Sequence, residues 1–279
     1  MDAAVEKAVE YMRARFGDPL TVADVAETVR IHDTFAFSRA FREETGVSPG
    51  KFLAAVRIHE AKRLIGDSDT DLADIRDAVG WGGGAESFAD SFTDAVGLSP
   101  GRFRRLCLEA GEVPPGPRPQ PGVERGAVAG TIRLPPGHGN ARVYLGAFAT
   151  PVVRYPAVAA ALVDVPSDRP SCYRLGDVPE GDWHLLAVAV AVAVAAAGGG
   201  DPRAGRSTLV GGHGGTGATV AVTAGTVTGA AVRLRPPSPV DPPVLLALPE
   251  LRPPRTVVPQ PGCAAAPGAQ AGAPVLPGA

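Results

Sequence analysis

Arg39 and Arg42 stand three residues apart, and on a helix they share one face with Phe35 and Ser38. An arginine fork can read guanine or grip phosphate. A serine hydroxyl can serve base or backbone, and a phenyl ring can touch a thymine methyl. Lys51 follows just after Ser48-Pro49, a helix start whose free N–H groups favour an anion. Arg102, Arg104 and Arg105 form a second basic cluster. Arg30 and His32 stand in the turn before the first arginine pair, within reach of phosphate. On spacing alone, these side chains could equally be solvated helix charges. What they can do depends on the elements that hold them.

The stretch Phe37–Phe52 recurs 51 residues later as Phe88–Phe103, with seven of sixteen positions identical. The retained skeleton is Phe, Phe, Gly, Ser, Pro, Gly, Phe, so one structural unit is used twice. Phe37 and Phe41, like Phe88 and Phe92, are four apart and belong to the core face of a helix rather than to a stacking platform. Gly46 and Gly97 stand where a helix end needs positive φ. Ser48-Pro49 and Ser99-Pro100 open the next helix, and Phe52 or Phe103 tucks it back. Upstream, residues 2–16 and 20–29 have helical spacing, and Asp33 can cap a helix over residues 34–45. Leu72-Ala-Asp-Ile75 repeats Val22-Ala-Asp-Val25 with an offset of 50, so the second turn is one residue longer. A short helix, a tight turn and a second helix with a basic exposed face form a helix-turn-helix, whose second helix fits a DNA major groove.

The two copies differ in charge. The second copy's equivalent helix reads Ala-Glu-Ser-Phe-Ala-Asp-Ser-Phe-Thr-Asp over residues 85–94, with three acids and no base. Residues 66–110 carry four basic and nine acidic side chains, a net −5, which opposes strong nonspecific DNA binding. The first unit is expected to read DNA. The second is expected to be structural, or to touch the backbone only through Arg102, Arg104 and Arg105.

These residues are familiar. Residues 8–106 resemble the DNA-binding module of the AraC/XylS family of bacterial transcription regulators. The likeness rests on Leu20–Ala26, Phe37–Arg42, Gly46-Val-Ser-Pro49, Arg57-Ile58 with Ala61 and Leu64, Val79-Gly-Trp81 and Gly97–Arg104. It implies seven helices, two helix-turn-helix units bridged by a long helix over residues 48–65, and double-stranded DNA as partner. The chain departs from the pattern at Arg30, where a turn glycine is usual, and at Arg76, where a small alanine is usual.

Residues 111–124 are rich in Pro and Gly and read as a semi-rigid linker. Residues 125–251 show short strand-like runs at 128–134, 142–148, 172–175, 183–194, 219–223 and 230–234, separated by turn residues. These suggest a small antiparallel β-sandwich, and 175–188, preceded by Val128-Ala-Gly-Thr-Ile132, loosely resembles carboxypeptidase-regulatory-like sandwich domains. Gly211–Gly215 reads as a flexible hairpin loop rather than a phosphate loop, because no Lys-Ser/Thr follows. Residues 252–279 are expected to be a disordered tail. The expected fold is therefore multidomain α + β: an all-α double helix-turn-helix over 1–110, the linker, the β-domain and the tail.

His138, His184 and His213 are scattered, and no nucleophile–base pair or metal-ligand spacing is present, so no catalytic residue, metal or cofactor is expected. Three distant cysteines without a CxxC fit a reducing compartment. The longest apolar run, 185–197, has 13 residues, short of the roughly 20 that a membrane helix needs. The expectation is a cytoplasmic regulator whose β-domain senses a small-molecule effector or pairs a homodimer. The alternative is a protein-interaction module that uses the acidic second unit and the β-domain without specific DNA binding.

Overall fold

The computed structural model describes residues 3–108, 116–117, 122–193, 206–248, 251 and 257. Most of the expected linker and nearly all of the expected tail lie outside the described residues. Seven helices come first among the described residues: α1 (Ala3–Ala14), α2 (Val22–Thr28), α3 (Thr34–Thr45), α4 (Pro49–Asp67), α5 (Leu72–Ala78), α6 (Ala85–Val96) and α7 (Pro100–Leu108). Local chemistry sets their ends. Thr21 and Asp24 form a reciprocal capping box at α2. The Asp33 carboxylate accepts from the N–H groups of Phe35 and Ala36 at 2.9 and 3.2 Å. Gly46 and Gly97 close α3 and α6 in the left-handed region. Ser48 occupies the N-cap of α4 with Pro49 behind it, but its side chain makes no capping bond.

The phenylalanine skeleton is the core of each unit. Phe37, Phe41 and Phe52 pack in succession with ring centroids 5.7 and 5.5 Å apart. Phe88, Phe92 and Phe103 repeat this at 6.1 and 5.8 Å. These separations fall in the favoured range for tilted and edge-on pairs. The α2–α3 turn spans 29–33 and the α5–α6 turn spans 79–84, one residue longer as the repeat offset requires. Arg30 has φ 59°, and Gly80, in the matching turn, has φ 67°.

Nine strands follow among the described residues: β1 (Arg125–Arg133), β2 (His138–Phe148), β3 (Ala159–Val165), β4 (Ser171–Pro179), β5 (Gly181–Ala193), β6 (Arg206–Gly212), β7 (Val220–Val222), β8 (Val227–Gly229) and β9 (Val232–Arg235). They form one sheet in the order β3-β2-β5-β6-β9-β1-β4, with β7 on β5 and β8 on β1. The expected two-sheet antiparallel sandwich is corrected on two counts. First, the sheet curls into a barrel-like form in which its end strands β3 and β4 meet, the Ser171 hydroxyl donating to the Asp164 carbonyl at 2.8 Å. Second, β1 runs parallel to β8 and β9. Alternation of buried and outer residues is common to sandwich and barrel, so it could not separate them. Gly211 lies in β6 rather than in a loop; a Cβ there would stand 1.9 Å from the Arg233 carbonyl oxygen, so the strands meet only with glycine at this position.

The central strand β5 is apolar on both faces. Leu185, Ala187, Ala189 and Ala191 point into the barrel, while Leu186, Val188 and Val190 meet a second cluster with Phe148, Val153, Ala157 and Leu246. That second cluster is made by two segments that leave the sheet, 149–158 and 236–248. They also enter the helical core: Val152, Val240, Leu245 and Ala247 are buried with the α1, α3, α4 and α6 side chains. Backbone bonds join the two parts, Tyr155 N–H to the Ala95 carbonyl at 2.8 Å and Ala247 N–H to the Val96 carbonyl at 3.0 Å. Lys62 of α4 donates to the Val244 and Leu246 carbonyls at 3.3 and 3.0 Å, and its Nζ sits 5.7 Å from the Phe103 ring centre. Arg13 of α1 donates to the carbonyls of Pro239 and Asp241.

Candidate nucleic-acid interface

The Asp33 cap and the buried Phe37–Phe41 pair fix the roll of α3, and the opposite face goes to solvent. Phe35 is 79% exposed, an unusual position for a large apolar ring on a helix with its own core face. Ser38 is half-buried, and Arg39 and Arg42 are exposed. The Arg39 guanidinium stands 4.0 Å from the Glu43 carboxylate, with both side chains 72% exposed, so water screens the pair and Arg39 can exchange partners. Neither Arg42 nor Lys51 has an ion-pair partner among the described residues.

Arg39, Arg42 and Lys51 line one cleft of about 840 Å³. Its floor is α4, its far wall is α6 with Ser91 and Asp94, and the 149–154 segment of the β-region closes one side. That segment is seated at the end of α3, where a Cβ on Gly46 would come within 3.0 Å of the Pro151 ring. The cleft therefore gathers three of the expected basic and polar contacts. Phe35 and Ser38 are on the same helix as Arg39 but outside the cleft lining.

The α7 arginines divide. Arg102 and Arg105 are exposed. Arg104 turns back: its Nη2 donates to the Thr70 carbonyl in the α4–α5 connection, and its Nε is buried without a hydrogen-bond partner among the described residues. In α6, Glu86, Asp90 and Asp94 are exposed and no basic side chain accompanies them. Sequence reasoning missed Arg154, which also lines the cleft and donates through Nη2 to the Asp94 carbonyl at 3.0 Å. Nothing in its local sequence, Pro151-Val-Val-Arg-Tyr-Pro156, signals contact with a helix 60 residues earlier. Elsewhere, the Nδ1 atoms of His138, His184 and His213 each face a backbone carbonyl. No helix among the described residues is long and apolar enough to cross a membrane.

A helix-turn-helix domain model matches residues 32–106. Among curated proteins, the chain is similar to the HTH-type transcriptional regulator YobQ of Bacillus subtilis (strain 168), with 29% identity over 96 residues, 34% of this chain and 39% of the relative. It is also similar to the melibiose operon regulatory protein of Escherichia coli (strain K12), with 26% identity over 112 residues, 40% of this chain and 36% of the relative. The chain thus spans well under half the length of these relatives. Among solved structures, it is similar to a transcriptional regulator with an AraC-type DNA-binding domain from Chromobacterium violaceum: 22% identity, 39% of this chain and 95% of that chain, TM-score 0.36. The DNA-binding domain of AdpA in complex with a target DNA matches at 22% identity, over 38% of this chain and 93% of that chain, TM-score 0.36. Residues 32–106 are an AraC-type helix-turn-helix domain.

Proposed function

We propose that this chain is a sequence-specific transcription regulator of double-stranded DNA, in which α3 reads the major groove and α6 serves mainly as scaffold. One observation carries the reading. The same phenylalanine skeleton holds both helices, yet where α3 exposes Phe35, Arg39 and Arg42 the aligned positions of α6 are Glu86, Asp90 and Thr93, and the exposed acids Glu43 and Asp94 are common to both. Phosphates repel the α6 face, and each missing cation removes a counterion-releasing contact. Lys51, Arg102 and Arg105, all exposed, grip the backbone and set the register, and Arg104 stands beside them with its guanidinium turned to the Thr70 carbonyl. The names of the similar regulators support regulation over catalysis. The β-region is the candidate for sensing a small-molecule effector or pairing two copies, and the cytoplasm is the matching compartment.

The test is selection from a pool of random duplexes at physiological salt, followed by footprinting of the enriched site. An enriched motif protected over one or two major-groove turns supports the reading. Recovery of no motif, together with a stable protein partner on α6 and salt-insensitive DNA binding, supports the protein-interaction alternative.

A further inference from the structure

We propose that the DNA-binding surface extends onto the β-region, with Arg154 supplying the phosphate contact that α6 lacks. The inference rests on the reading of the chain as a DNA-binding protein. Arg154 comes from the segment between β2 and β3, yet its guanidinium reaches the C-terminal end of α6, one Nη2 hydrogen held by the Asp94 carbonyl. Its Nε leans to the Tyr155 carbonyl at 3.4 Å, and no carboxylate pairs with it among the described residues. A guanidinium has five donors, so two carbonyl bonds leave donors for an anion.

Its placement is fixed. Val152 and Val153 on one side are buried, and the Tyr155 N–H bonds the Ala95 carbonyl next along α6. Arg154 is therefore preorganised with respect to α6 as firmly as a residue of the helical module itself. It shares the cleft with Arg39, Arg42 and Lys51, which α3 and α4 supply from the opposite wall. Four cations face two carboxylates there, Glu43 and Asp94, so the cleft is net positive although the 66–110 segment is net negative. A strand leaving the groove read by α3 toward α6 meets Arg154 as the base on the α6 side. The β-region thereby restores the charge that the second recognition helix has lost.

The test measures binding of the full chain to its selected duplex across a salt series, for wild type and Arg154→Ala. A phosphate contact predicts weaker binding to selected and scrambled duplexes alike, and a slope of log K against log salt shallower by about one. Arg154→Lys keeps the charge and is expected to return the slope toward wild type. A folding defect lowers the active fraction and leaves the slope as it was, so an unchanged slope overturns the proposal whatever happens to the apparent affinity. Tighter binding by Arg154→Ala also overturns it, because the β-region would then be blocking DNA. If wild type binds no duplex with preference, the failure lies with the DNA-binding reading itself.

Discussion

Arg39 and Asp90 occupy aligned positions in two copies of one unit, and their chemistry is opposite. If Arg39 reads a base, Arg39→Ala weakens binding to the selected duplex by about 1–3 kcal/mol and relaxes specificity at one position. Asp90→Ala leaves binding undiminished, since it removes only a repelled charge; quantitative gel shifts of both variants check this. Lys62 makes a different residue-scale statement. Burial pulls its ammonium from an ordinary 10.5 down to about 8. A lowered lysine pKa means the folded state holds the proton less well than the unfolded chain. The cost is fully present below about pH 8 and is relieved as pH rises toward 10.5, where the unfolded chain binds more protons. Melting curves through that window are expected to show wild type gaining stability relative to Lys62→Met; parallel pH profiles would contradict the burial.

At the scale of elements, the two turns invite comparison. Arg30 carries φ 59° with a side chain, where Gly80 carries φ 67° without one. Left-handed backbone costs a non-glycine residue about 1 kcal/mol or more, so Arg30→Gly is expected to stabilise the fold by up to about that amount, less the extra freedom glycine gains when unfolded. Gly80→Ala is expected to destabilise, because its Cβ would stand 2.5 Å from the Gly17 carbonyl oxygen. Chemical denaturation of the two variants gives opposite signs if the turns are as described. The helices were legible because their signals are local: Phe spacing, Asp33, Gly46, Ser48-Pro49 and their second copies. The Thr21–Asp24 capping box at α2 is an equally local signal. The strands were harder. β3 and β8 sit in Ala- and Gly-rich segments with weak periodicity, and β6 ends in glycines that read as a loop until Arg233 is placed beside them.

At the scale of the molecule, segments 149–158 and 236–248 make the helices and the sheet share buried surface. No local pattern announces that Leu245 or Ala247 completes a helical core, or that Arg154 enters the cleft, because such contacts depend on tertiary placement. Leu245→Ala is expected to cost about 2–5 kcal/mol, and hydrogen exchange should show helix and strand amides losing protection together. Loss confined to the strands would mean the helical module stands alone. The most direct measurement of the central claim is salt-dependent binding to the selected duplex by wild type, Arg39→Ala and Asp90→Ala in parallel. The account predicts sequence-specific binding at physiological salt that Arg39→Ala weakens and Asp90→Ala keeps. Equal losses in both variants, or no sequence preference in wild type, would contradict it.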